Sequence, residues 1–573
     1  MRPRSPRVPP RIAAALLRAL PVSAGVAVAA ALTAAPARAQ RPADPAPPAR
    51  AAPAPQRAAQ QQRPRPLPAT APRLVVVLIV DQMRADYLER FRGQFSGGLA
   101  RMLRGGAWFT DAYQDHAMSE TAVGHATVLA GRNPASHGIV DNSNGVGDSG
   151  APLLEVRGPG ASPLRFRGTA LFDWLQARSP DSRMLSISRK DRGAILPVGR
   201  ARQMVYWFVG GQFTTSDYYA DSLPAWVREV NSRRIAARSA GRAWEPLLPV
   251  DSYPEPDVVT WERGGTDLAF PHQLPTDTAA AKRLFAQAPW MDQFILDAAL
   301  AGAQATGLGR GRAPDVLAVS LSTTDAIGHS WGPNSREIHD HMLRLDRMLG
   351  TFLDSLARLA DPRRTVVALA GDHGVTPFTG WSRRNGFPLA DSASLDSLVL
   401  ALRDSLVRRA GPGGWITYWD LGLLALDRRG LAARGVNVDS VVDAMASTLR
   451  ANRAVLRVDT PASLAAADTA QDAIARRWLN AVPPRIGAEL MVTLKPKFVM
   501  GGSGSAEHGQ PSDDDTHVPL VLFGAGIRAG RFPQRVSVVD LAPTLAALLG
   551  VEPTEPVQGR VLREALATRR GTR

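Results

Sequence analysis

The sequence predicts an α/β fold: a doubly wound, mostly parallel sheet with helices on both faces and inserted cap regions. Three observations carry that prediction. Short apolar, β-branched runs at 74–80, 315–322, 365–370 and 518–524 read as strands buried on both faces. Long stretches with helical or irregular character separate these runs, which suits crossover connections. Asp or His residues follow the first three runs directly, as Asp81, Asp325-Ala-Ile-Gly-His329 and Asp372-His373, while His508 stands shortly before the fourth. In open α/β sheets, ligands bind beyond the carboxyl ends of the strands.

The elements follow in chain order. The first 39 residues read as a secretory signal: Arg2, Arg4, Arg7 and Arg11 form a basic start, and Val22–Ala35 an apolar stretch. Ala37-Arg38-Ala39 then fits small-x-small cleavage before Gln40. The apolar stretch is shorter than the ~20 residues of a spanning helix, which argues against a membrane anchor. A periplasmic or secreted protein follows, with no stable membrane insertion after cleavage. Residues 40–72 are Pro, Ala, Arg and Gln with almost nothing to bury, the composition of a disordered linker. The catalytic domain is expected over 73–573, with caps at about 143–312 and 380–505.

Within that domain, strand 74–80 leads to Asp81 and a helical segment over 86–103. A second helix starts near Glu120-Thr121 and stops at Gly131, with Pro134 beyond it. Residues 143–180 read as irregular. Strand 184–188 then delivers Lys190-Asp191-Arg192-Gly193. The aromatic-rich stretch 200–310, with Tyr206 and Tyr219, reads as a cap whose aromatics set selectivity. The second cap contains a helix over 392–409 and a strand at 490–494, and the helix 538–550 closes the fold.

Composition narrows the function. The net charge of +16 suggests nucleic acid, but residues 1–73 hold twelve Arg against Asp44 and account for +11 of it. The body carries no basic block or aromatic-basic stripe, so no nucleic-acid partner is expected. The absence of cysteine excludes disulfides, thiolate metal ligands and a Cys nucleophile.

The candidate chemistry is that of a two-metal site. Asp325 and His329 stand at i and i+4, so one helical turn aims both at a single ion. Asp372 and His373 diverge after a strand, Asp81 adds a carboxylate, and His508 or His517 adds a further imidazole. Any one of these, taken alone, reads as a helix cap or a structural histidine; their joint placement at strand ends reads as ligation. The acids Asp513–Asp515 read as a solvated loop rather than a Ca²⁺ site. Thr121 begins a helix, where free N–H groups and the helix dipole favour phosphate and a developing alkoxide. It is a nucleophile once a metal ionises it, with Ser119 as the fallback. Lys190 and Arg192, taken as i and i+2 on an extended segment, point the same way to hold a phosphoryl group. Asn142 is a weaker candidate donor to a phosphoryl oxygen.

In this order, DQMRADYL, ETAVGHATVLAGRNPASHGIVDN, SRKDRGAILPVG, TTDAIGHSWGP, AGDHGV and EHG…DTHVPLVLFG resemble the alkaline phosphatase superfamily over most of 74–550. The similarity is closest to its phosphate-irrepressible alkaline phosphatases, with the nucleotide pyrophosphatase/phosphodiesterases more distant. The resemblance implies two Zn²⁺ ions, although Asp/His sets also accept other divalent metals. One ion would sit on Asp325, His329 and His508, the other on Asp81, Thr121, Asp372 and His373. It implies a phosphothreonine at Thr121, with Asn142, Lys190 and Arg192 contacting the phosphoryl group. Small phosphorylated metabolites are the expected partners. The Lys-x-Arg pair favours monoesters over the alternative, a phosphodiesterase or nucleotide pyrophosphatase. A non-catalytic metal-stabilised binder is the rival from another class.

Overall fold

Nine strands form the central sheet of the computed structural model, which describes residues 67–501 and 505–567. In chain order they are β1 (Leu74–Val80), β2 (Ala107–Phe109), β3 (Met184–Ser188), β4 (Met204–Val209), β5 (Gln212–Thr214), β6 (Asp315–Leu321) and β7 (Thr365–Gly371). The last two, β12 (Leu520–Gly524) and β13 (Gly530–Phe532), follow a separate sheet of β8 (Ile416–Asp420), β9 (Leu423–Leu426), β10 (Val455–Asp459) and β11 (Ala488–Leu494) in the second insertion. The spatial order is β13-β2-β12-β7-β1-β6-β3-β4-β5. Only β5 and β12 oppose the common strand direction, so the sheet is mostly parallel, as expected.

Alternation along β1 shows why its sequence is apolar without interruption. Leu74, Val76, Leu78 and Val80 enter one hydrophobic cluster, whereas Val75, Val77 and Ile79 enter the other. The first cluster is covered by α1 (Gly98–Gly105), α5 (Trp290–Thr306) and α7 (Arg336–Leu359). The second is covered by α2 (Thr121–Ala130), α3 (Leu171–Arg178) and α8 (Leu541–Leu549), while α4 (Asp191–Ile195) and α6 (Thr323–Trp331) follow β3 and β6. A strand buried on both faces needs apolar residues at every position.

Several expectations change. The signal reading and most of the linker lie outside the described residues. The linker's last residues, 67–72, pack instead: Ala71 and Pro72 are buried, and the Ala71 carbonyl accepts from Arg364 Nη2 at 2.5 Å. The single helix expected over 86–103 is broken at Ser96-Gly97. Their N–H groups and that of Ala100 donate to the buried Asp346 carboxylate at 2.7, 2.6 and 3.1 Å. A Cβ on Gly97 would lie 2.2 Å from the Asp346 carbonyl oxygen, so α7 and this turn touch through backbone.

The cap reading of 143–312 fails in its middle and at its end. β4 and β5 belong to the central sheet, α5 covers that sheet, and α3 orders part of the stretch read as irregular. Tyr206 and Phe208 are therefore strand residues packed against Trp226, Phe213 and Phe294, and Trp207 is buried in the cluster on the other sheet face; none is a cap aromatic. A run of three aromatics fits a strand as well as a binding surface. The second insertion does build its own antiparallel sheet, in the order Ile416–Asp420, Leu423–Leu426, Ala488–Leu494, Val455–Asp459, with its own core.

Asp346→Ala is expected to lower unfolding stability by about 3 kcal/mol, because three N–H groups, those of Gly97 and Ala100 buried, lose a charged acceptor. Chemical denaturation measures this; an unchanged midpoint would contradict it.

Candidate active site

Register brings the site together. Val80 pairs with both Leu321 and Gly371, so β1, β6 and β7 leave the sheet at one level. Neighbouring strands lie ~4.8 Å apart, and the residues beyond them are Asp81, the start of α6, and Asp372-His373. One strand further, Ser188 pairs with Ser320, so β3 delivers Arg189-Lys190 to the same edge.

On α6, Asp325 and His329 share a face as their spacing predicted, with His329 Nε2 3.3 Å from Asp325 Oδ1. His508 approaches from the loop before β12, its Nε2 4.0 Å from the same oxygen. His373 Nε2 lies 3.5 Å from Asp81 Oδ1 and 3.6 Å from Asp372 Oδ2. Two groups result, Asp325/His329/His508 and Asp81/Asp325/His373, with ligand atoms within 4.8 Å of one another in each. Asp325 is common to both. Asp372 stands beside the second group, and Thr121 Oγ1 is 3.5 Å from Asp81 Oδ1.

The histidines are set up for ligation. Nδ1 of His329, His373 and His508 faces the backbone carbonyl of Ala506, Gly374 and Ser119 at 2.7, 2.9 and 2.7 Å. A carbonyl only accepts, so each Nδ1 carries a proton and each Nε2 faces the site, where the neutral imidazole offers its lone pair, the usual arrangement of metal-bound histidine. His373 Nε2 is buried without a hydrogen-bond partner. The donor set fits hard or borderline divalent cations.

Charge points the same way. Asp81, Asp325 and Asp372 are all buried. Lys190 Nζ answers two of them, at 2.6 Å from Asp81 Oδ2 and 2.7 Å from Asp325 Oδ2. Burial, reinforced by Asp325 and Asp372, raises the pKa of Asp81. Burial also works against ionised Asp325, but Lys190 and His329 outweigh it and hold this carboxyl well below its ordinary range. For Asp372, His373 and His125 prevail over burial in the same sense. One ammonium among three carboxylates leaves negative charge for cations to neutralise.

Thr121 opens α2, whose ten residues are all buried. Lys190 Nζ donates to Thr121 Oγ1 at 3.1 Å. Asn142 sits at the same helix end: its Oδ1 accepts from Ala122 N at 2.9 Å, and its own N–H donates to Glu120 at 2.6 Å. This leaves its amide NH₂ as the free donor. Lys190 and Arg192 do not lie on an extended segment as read from sequence. Lys190 precedes α4 and reaches the carboxylates and Thr121, whereas Arg192 lies in the first turn of α4, with its guanidinium 3.7 Å from Asp191.

The two histidines left open near β12 separate. His508 joins the cluster, whereas His517 bonds to the Thr110 carbonyl and stacks on Tyr113. The acids at 513–515 are solvated only at Asp513, which is exposed though paired with Arg477; Asp514 pairs with Arg84 and Lys497, and the buried Asp515 accepts from Thr376.

Sequence reasoning missed Gln82, His125 and Gly124. Gln82, at φ 63°, donates from its backbone to Asp372 at 2.9 Å and from its side chain to Asp325 at 3.1 Å. His125 Nδ1 lies 2.9 Å from Asp372 Oδ2, and its Nε2 2.8 Å from Ser320 Oγ. A Cβ on Gly124 would lie 2.0 Å from the Asp372 carbonyl oxygen, so only glycine lets α2 seat there. The one available signal was spacing, since His125 stands four residues after Thr121.

Fold and site together define a hydrolase of the alkaline phosphatase superfamily, with an α/β fold and Asp/His groups able to hold divalent metal. The chain belongs to the Type I phosphodiesterase / nucleotide pyrophosphatase family, whose model matches residues 75–514. Among curated proteins it is 29% identical to alkaline phosphatase PafA of Elizabethkingia meningoseptica over 519 residues, covering 86% of this chain and 94% of the relative. It is 31% identical to alkaline phosphatase PhoK of a Sphingomonas species over 539 residues, covering 87% and 92%. The crystal structure of wild-type PafA superposes with a TM-score of 0.81 at 28% identity, over 87% of this chain and 99% of that one.

Asp325 raises His329 to a pKa of about 9 despite burial. His329 must lose that proton to ligate, so Zn²⁺ affinity of the metal-free protein is expected to rise roughly tenfold per pH unit between pH 7 and 9, then level. Chelator-competition titrations measure this; affinity flat across that range would refute it.

Proposed function

We propose that this chain is an exported, metal-dependent phosphomonoesterase of the alkaline phosphatase type, acting on small phosphorylated metabolites through Thr121. The observation that carries the reading is the position of the Thr121 hydroxyl. It lies at a buried helix N-terminus, 3.1 Å from the Lys190 ammonium and 3.5 Å from Asp81. The alkaline phosphatase names of the relatives support the same reaction class.

Residues 1–39 act as the export signal in this reading, and most of 40–72 as a tether. The site's ligands are Asp325, His329 and His508 on one side and Asp81, Thr121, Asp372 and His373 on the other, for two Zn²⁺ ions. Asp325 belongs to both groups, so its carboxylate would serve either ion. Divalent cations held there supply the positive charge that ionises the Thr121 hydroxyl and stabilises the departing alkoxide.

The chain's own residues do the rest. The α2 N–H groups and Lys190 hold the phosphoryl oxygens, aided by the free amide of Asn142 and by Arg192. Thr121 Oγ1 attacks phosphorus and the ester oxygen leaves in line, on the Asp325/His329/His508 side. The phosphothreonine is then hydrolysed by water arriving from the side the alcohol left. His125 and Gln82 keep Asp372 and Asp325 oriented throughout. Lys190 beside the nucleophile favours a dianionic monoester, whose extra charge it neutralises; a diester's second substituent would crowd it.

Thr121→Ala is expected to abolish phosphomonoester turnover while leaving bound metal, read by elemental analysis, nearly unchanged. Full activity in that variant would exclude the covalent route. Lys190→Ala is expected to lower monoester kcat/KM by roughly 10²–10³ and diester kcat/KM far less. Equal losses on both substrates would remove the argument for monoester preference.

A further inference from the structure

The in-line geometry proposed above sends the leaving alcohol out beside His329. Two residues further along α6, Trp331 forms part of the wall of a cavity of about 300 Å³. Trp261, Trp381 and Phe378 supply further aromatic wall, and Glu262 and Asn334 line it as well. This volume is at the small end for ligand pockets, which run roughly 300–1,000 Å³ and are mostly apolar with a few placed polar groups.

Two observations mark the cavity as more than a packing gap. Its wall is joined to the site: Phe378 belongs to one apolar cluster with Ala506, the residue whose carbonyl holds His329 Nδ1. Its polar members also lack partners. Glu262 is 4% exposed, yet no hydrogen bond or ion pair to its carboxyl occurs among the described residues, and its Oε2 is buried and unpartnered. Asn334 Oδ1 is likewise buried without a partner. A buried polar atom left unpaired is unfavourable, a cost that a ligand group able to bond there would offset.

We propose that this cavity is a leaving-group subsite for phosphomonoesters whose alcohol carries an aromatic ring bearing an N–H or O–H donor. The tryptophans would take the ring face and the Glu262 carboxyl, with Asn334, the donor. Burial, with Glu337 and Asp257 nearby, raises the pKa of Glu262 to about 9. At neutral pH this carboxyl is uncharged, which suits a neutral amino or hydroxyl group better than a full cation. The inference rests on the phosphomonoesterase reading and adds the class of alcohol.

The test uses the metal-loaded full chain and n-propyl phosphate against phenylalkyl phosphates with one, two and three methylenes. Their alcohols are of similar basicity, so kcat/KM ratios report binding rather than intrinsic reactivity. At least one phenylalkyl phosphate is expected to exceed n-propyl phosphate by about tenfold. Trp381→Ala should bring that ratio close to one without changing turnover of n-propyl phosphate. A para-amino group on the best ring should add about fivefold, and Glu262→Leu, which removes the acceptor, should remove that increment. Turnover of every substrate with no advantage for the ring overturns the subsite alone, as does an advantage that survives Trp381→Ala. Absence of all phosphomonoester turnover overturns the phosphomonoesterase reading and the subsite with it. Should Trp381→Ala fail to fold, Glu262→Leu decides, and an amino-group advantage kept there overturns the proposal.

Discussion

Three carboxylates buried beside one another are the constraint to which the rest of this structure answers. Asp81, Asp325 and Asp372 are each 6% exposed or less, and ionised groups in such surroundings repel one another and lose their hydration. Lys190 offsets part of that charge, and His329 is drawn to its protonated form by Asp325. The remaining charge is what suits the pocket to divalent cations. It also explains the three imidazoles tied by Nδ1 to carbonyls, since a lone pair turned inward adds ligation without adding negative charge.

Holding such a cluster requires stiff neighbours. Gln82 spans the carboxylates that follow β6 and β7 from a left-handed backbone position at the end of β1. Gly124 lets α2 approach the Asp372 backbone, which brings His125 against its carboxylate and Thr121 to the edge of the sheet. The second insertion takes part too. Leu421, at the turn between its first two strands, lies where a Cβ on Gly509 would be, at 2.7 Å, immediately after His508. The insertion thereby braces the loop that carries a ligand. Close packing of this kind transmits small displacements rather than absorbing them.

Much of this was legible in the chain. Uninterrupted apolar runs gave the parallel strands because a strand buried on both faces has no polar side. The i, i+4 pair Asp325/His329 was readable because helical geometry is local, and Thr121 because the end of α2 is written in Gly131 and Pro134. Other features depended on contacts that sequence spacing does not encode. β4 and β5 passed for a cap because Tyr206-Trp207-Phe208 fits a strand and a binding surface equally well. The acids at 513–515 passed for a loop because their cationic partners lie far away in sequence, at Arg84 and Arg477.

The sequence by itself determined the inventory: which residues end strands, which open a helix, and that Asp, His, Thr and Lys stand at those ends. Such assignments follow from periodicity and chain-local sterics. Only the tertiary structure decided the partnerships. It placed Asp325 in both ligand groups, chose His508 over His517, set Lys190 against Thr121 and brought the unmarked His125 to Asp372. Strand order and register govern those distances, and they arise from the packing of segments hundreds of residues apart.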